Sequence, residues 1–104
     1  MSKILPSNWE EKELRKSNFK GEVIYCKYNK DGGSDEDIQL ILYLRPIGNG
    51  YHLDVLDSSA LQGDNISLNP EKVKREYGDG GYLYVGDNYE QAEDIAIQFM
   101  QEHN

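Results

Sequence analysis

Cysteine occurs once in the chain, as Cys26. One thiol cannot close an internal disulfide, and the pattern suits a reducing, intracellular setting. Long apolar runs are missing as well. No stretch approaches the roughly 18 apolar residues of a membrane-crossing helix, and MSKILPSNWEEKELRK contains no run of signal-peptide length. A soluble cytoplasmic protein without membrane contact is therefore expected. Cations are scarce beyond the first third. After Lys30 only Arg45, Lys72, Lys74 and Arg75 remain, against fifteen acids. Residues 1–30 carry a net charge of +3 and residues 31–104 a net of −11, which together make −8. Affinity for phosphate backbones comes from Lys and Arg displacing counterions, so direct nucleic-acid binding is disfavoured. A basic partner surface is favoured, through steering and complementarity.

What is present is one domain's worth of chain, spanning 1–104, with 38% hydrophobic residues and enough length for a single modest core. Eight tyrosines, two phenylalanines and one tryptophan supply much of its apolar mass; tyrosine can pack its ring while its hydroxyl reaches solvent.

The local patterns predict an α+β domain in the order α-β-β-β-α-β-α. Ser7 followed by Glu10 reads as a capping box opening a short helix over about 7–16, packed through Trp9. Residues 22–29, EVIYCKYN, read as a strand with Val23, Tyr25 and Lys27 on one face and Ile24, Cys26 and Tyr28 on the other. Residues 36–46 form the strongest strand, with Ile38, Leu40, Leu42 and Leu44 on one face and Ile41 and Tyr43 on the other, and it should be central. A turn at 48–50 leads into a strand over 51–57 with Tyr51, Leu53 and Val55 inward. Such short connections exclude parallel crossovers, so these strands make an antiparallel meander, of three or four strands once YLYVG (82–86) is counted. Asn69 and Pro70 cap a predicted helix over 70–77, broken by the GDGG at 78–81. Asp87 and Glu90 read as a second capping box, before a last helix over about 88–102. On it Tyr89, Ala92, Ile95, Ala96, Phe99 and Met100 share the apolar face, while Ile97 falls among Glu90, Glu93, Asp94 and Gln101.

Chemical motifs fail on spacing. The loop KDGGSDED (30–37) cannot be read as a calcium loop, because no register places acids at positions 1, 3 and 5, glycine at 6 and glutamate at 12. It reads as a hairpin turn. The GDGG follows a helix instead of opening one, and beside Gly86 the acids Asp87 and Glu90 would repel a phosphate. His52 and Asp54 share a strand face, and Cys26 with His52 could form a dyad across strands, but too few further ligands or activators accompany them. No enzymatic activity, cofactor or metal is expected.

Three acidic groups remain: Asp35, Glu36 and Asp37 at the hairpin; Asp54, Asp57 and Asp64, with no basic residue between Pro46 and Pro70; and Glu90, Glu93 and Asp94 on the last helix. The helix–three strands–helix order is similar to a double-stranded-RNA-binding domain. Where that family carries phosphate-reading lysines, this chain has Asp87, Glu90 and Glu93, which argues against RNA. In plan and charge, over residues 36–102, DIQLILYLRPIGNGYHLDVLD and the acidic last helix resemble small acidic inhibitors of phages and mobile elements, the anti-CRISPR proteins. That resemblance implies a cytoplasmic protein of a bacterial host that occupies the basic DNA-binding channel of a CRISPR nuclease. Contacts would come from Asp35, Glu36, Asp37, Glu90, Glu93 and Asp94, with Ile97, Tyr28 and Tyr43 as apolar anchors. Immunity proteins against nuclease toxins share this logic, and a non-enzymatic interaction or scaffold subunit is the other reading.

Overall fold

The computed structural model describes residues 4–12, 23–29, 37–62, 65–66, 70–74, 76 and 82–104. Its main element is an antiparallel sheet in which β1 (Trp9–Lys12), β2 (Val23–Tyr28), β3 (Ile38–Ile47), β4 (Gly50–Leu56) and β7 (Tyr82–Gly86) lie side by side in the order β1-β2-β3-β4-β7. Among the described residues it is joined by a two-stranded ribbon of β5 (Leu61–Gln62) and β6 (Asn65–Ile66) and by a C-terminal helix, α1 (Tyr89–Glu102). The radius of gyration, 12.7 Å, is what a single domain of this length has, about 13 Å.

β3 is central, as its apolar pattern requires, and both of its faces are buried. On one face Leu40, Leu42 and Leu44 join Tyr25, Leu53, Val55 and Trp9 beneath the Ala92, Ala96, Phe99 and Met100 side of α1. On the other, Ile24, Cys26, Tyr28, Ile41, Tyr43 and Leu56 form a second core with Ala60, against which Leu61, Ile66 and Val73 pack. The sheet is thus covered on one side by the helix and on the other by the connection between β4 and β7.

Ile38 does not follow the period of its strand. Lys27 pairs with Leu40 but Tyr28 pairs with Ile38, so Gln39 is an extra residue, a bulge. One inserted residue reverses the alternation. Gln39 stays exposed, and Ile38 is sent to the second core. At the other end of β3, Arg45 and Pro46 continue the strand, and a two-residue turn follows in which Gly48 has φ 61°. That left-handed conformation is open to glycine at no steric cost.

Two predicted helices are not there. Over 9–12 the chain is a strand: Trp9 pairs with Lys27 and Lys12 with Ile24, antiparallel to β2. The capping-box spacing is real, but a helix here would have offered only Trp9 and Leu14 for burial. As a strand the segment buries Trp9 to 3% exposure and gains a backbone ladder. Glu10 and Glu11 remain exposed on what is the sheet's edge, where charge discourages pairing with another chain. Of the predicted helix over 70–77, Pro70–Lys72 is a 3₁₀ turn. Val73 then bridges Leu56, and the Lys74 amide donates to the Val55 carbonyl at 2.8 Å. Attachment to the end of β4, with Val73 packed on the second core, wins over local helix propensity. The order is therefore not that of a double-stranded-RNA-binding domain, whose first helix this chain replaces with β1.

α1 begins one residue later than the Asp87–Glu90 spacing implies. Asn88 is the N-cap and its side chain accepts from the Gln91 amide at 2.9 Å, while Gln91 Oε1 accepts from the Asp87 amide at 3.2 Å. This reciprocal pair explains Gly86, which has φ 129°. A Cβ there would come within 2.9 Å of Gln91.

Candidate functional site

The expected contact acids fall into three situations. Asp35 and Glu36 lie outside the described residues. Asp37 is half-buried, and its carbonyl accepts from the Asn29 amide at 2.7 Å, closing the base of the hairpin. Glu90 and Asp94 are exposed one turn apart on α1, where i,i+4 side chains are neighbours. Asp37 and the helix acids do not form one patch. The start of α1 packs beside Tyr51, which pairs with Pro46 at the far end of β3 from Asp37. Nine strand residues, roughly 30 Å, separate the two ends.

Glu93 is not with them. It is half-buried and turned toward the sheet, near Tyr89 and Tyr25. Tyr25 is 2% exposed, its Oη buried beside the Tyr89 hydroxyl. Burial pushes its phenol far above the ordinary range, and Tyr89, Glu93 and the cross-strand Glu11 reinforce the shift. Burial also raises Tyr89, helped by the same two glutamates.

The apolar anchors move as well. Tyr28 and Tyr43 belong to the second core, at 8% and 7% exposure. Ile97 is 9% exposed and sits in the helix-side core, whereas Ile95, read as inward, is 41% exposed. At 100° per residue the two lie about 160° apart, at opposite edges of the apolar arc. The arc is centred on Tyr89, Ala96 and Met100, so Ile97 and Glu93 fall on its inner flank and Ile95 on its rim. The solvent side of α1 thus presents Glu90, Asp94, Glu102, three glutamines and Ile95, with no cation anywhere in the helix.

The middle acids are structural. Asp54, 4% exposed, is bound by Arg45 Nε at 2.7 Å. Burial nonetheless raises its carboxyl above the ordinary value, with Arg45 and His52 opposing. Arg45 also lies 5.6 Å over the Tyr43 ring. Asp57 caps the 3₁₀ turn Ser58–Ala60 by accepting from the Ser59 amide at 2.9 Å, and Lys74 lies 3.5 Å away. That cap, with Lys74, holds the Asp57 carboxyl below its ordinary value. Asp54 and Asp57 are thus neutralised from the two flanks of the stretch, by Arg45 before it and Lys74 after it. Asp64 lies outside the described residues.

A Cys26–His52 dyad is excluded by topology. The two stand on β2 and β4 with β3 between, and Cys26 aligns through Ile41 with Leu56, four residues from His52. Strand geometry puts them about 16 Å apart. Among the described residues no three His, Cys, Asp or Glu side chains gather as metal ligands, and no helix is long and apolar enough to cross a membrane. No family model matches the chain, nor does any curated protein or solved structure.

Reasoning from the sequence missed one feature. An open cleft of about 280 Å³ is lined by Lys27, Gln39, Leu40, Lys74, Glu76, His103 and Asn104. Its two lysines and its histidine come from three separate parts of the chain, so no local motif announces it.

Proposed function

We propose that the protein is an inhibitor that binds a basic protein surface, of the kind a nuclease or CRISPR effector uses to hold nucleic acid, and blocks it by occupation. One observation carries this reading: the exposed side of α1 carries Glu90, Asp94 and Glu102 with no cation, and keeps Ile95 at its rim. Solubility alone is served by mixed charge. Glu102 stands in the last helical turn, where the macrodipole disfavours an anion and no basic residue compensates. An acidic strip retained against that cost, beside one apolar side chain, suits a groove of lysines and arginines with an apolar floor. Glu90 and Asp94 take the leading roles and Ile95 replaces Ile97 as the apolar contact.

The test is target-DNA binding by a panel of guide-loaded CRISPR nucleases with and without the protein. Inhibition of one member is expected, weakening with salt, and about tenfold weaker for the Glu90→Lys, Asp94→Lys double variant. The reading fails if no member is inhibited, or if the double variant inhibits as well as the parent.

A further inference from the structure

The cleft between the C-terminal end of α1 and the start of β3 runs against the charge of the molecule. In a chain of net −8, two lysines and a histidine converge there from β2, from the segment after the 3₁₀ turn Pro70–Lys72, and from the residue that caps α1. Lys27 is half-buried and forms no ion pair with another described residue. Asp57 compensates Lys74, and the remaining charge of Lys27 favours an anion in the recess. Lys74 is held at the rim by Asp57. His103 is fixed in orientation: its Nδ1–H donates to the Phe99 carbonyl at 2.9 Å, and its ring stacks on Phe99 with centroids 4.0 Å apart. A carbonyl can only accept, so Nδ1 carries the proton. Leu40, 7% exposed, and the exposed Gln39 complete the lining. Gln39 is there because it is the bulge residue, set at a position a regular strand would have given to a paired residue.

We infer that this cleft binds a small phosphate monoester, its phosphoryl oxygens between the ammonium groups of Lys27 and Lys74, with the His103 ring as a fixed wall. The donor set selects phosphate over carboxylate. Planar carboxylates are best matched by the fork of an arginine, and the lining has none. Lysines act as point charges that suit a tetrahedral dianion approached from several sides. The cleft's volume stands just below the range of ordinary ligand pockets, which calls for a compact ligand. Glu76 in the lining and the negative end of α1 oppose the anion and set a weak affinity. This inference is independent of the acidic face of α1, and neither stands or falls with the other.

The experiment is a titration of the whole protein followed by backbone amide and His103 imidazole NMR signals, with inorganic phosphate, with citrate as a carboxylate, and with chloride at matched ionic strength. Saturable shifts confined to Lys27, Gln39, Leu40, Lys74, Glu76 and His103 are expected with phosphate alone. Lys27→Gln and Lys74→Gln should each weaken binding about fivefold, and Glu76→Gln should tighten it about threefold, as removal of one charge near an anion does. The gain in Glu76→Gln keeps the test open should a lysine variant fold poorly. The proposal is overturned if phosphate shifts follow ionic strength as chloride's do, if citrate binds equally well, or if the three variants titrate like the parent.

Discussion

At the scale of single residues, three carboxylates that look alike in the sequence have different surroundings. Asp94 faces water, Asp54 is buried on an arginine, and Asp57 caps a turn. Their responses to pH have opposite signs. Asp57 has a depressed carboxyl in the folded state, so the stability it contributes is present above the ordinary aspartate range and is lost as pH falls through its folded value. Asp54 is raised, so its ionisation works against folding as pH climbs past the ordinary range. Asp57→Ala is therefore expected to cost about 1 kcal/mol at pH 7, a typical value for a lost cap. That cost should shrink toward zero at a pH below the ordinary carboxylate range. Urea denaturation of variant and parent at the two pH values measures this. A cost that stays constant with pH would mean that packing around the 3₁₀ turn, and not the carboxylate, is what Asp57 supplies.

At the scale of elements, α1 is held at its start by Asn88 and Gln91, and a pair of variants separates this from the reading that spacing alone suggests. Asn88→Ala should destabilise the protein by about 1 kcal/mol, and Asp87→Ala by less than half as much, as thermal denaturation would report. Equal losses would return the cap to Asp87. The same element shows where a sequence stops being legible. β2, β3 and β4 were readable because Ile, Leu, Val and Tyr alternate over six or more residues and leave one choice of face. In α1 the period was readable, but the centre of its arc was not: it depends on which rows of the sheet lie beneath, and this exchanges Ile95 with Ile97. Trp9 alone cannot distinguish a helix from an edge strand, since the deciding partners, Lys27 to Ile24, are distant in sequence. A bulge at Gln39 is invisible to any count of period two, yet it redirects Ile38 and places Gln39 in the cleft's lining. The candidate site was legible only where it is continuous in sequence, as Glu90 and Asp94 are. Lys27, Lys74 and His103 meet through topology alone.

At the scale of the whole molecule, charge is the dominant property. Residues 31–104 carry −11 on a domain whose radius of gyration is 12.7 Å. Charges spread over a body of this size stand roughly 20 Å apart, beyond the Debye length of about 8 Å at physiological ionic strength but within the roughly 30 Å of dilute buffer. Self-repulsion of this kind opposes the compact state and is relieved by salt. Raising NaCl from dilute buffer to physiological strength should therefore stabilise the protein by about 1 kcal/mol, a melting shift of about 5 °C for a domain of this size. The double variant Glu90→Lys, Asp94→Lys lowers the net charge from −8 to −4. It should melt higher than the parent in dilute buffer and respond about half as strongly to salt. Both positions are exposed, so the substitutions remove no core contact. If the variant also loses inhibition, the melting curves establish that it does so as a folded protein. If its salt response equals the parent's, the repulsion resides in acids elsewhere on the surface, and the strip along α1 has no special share in it.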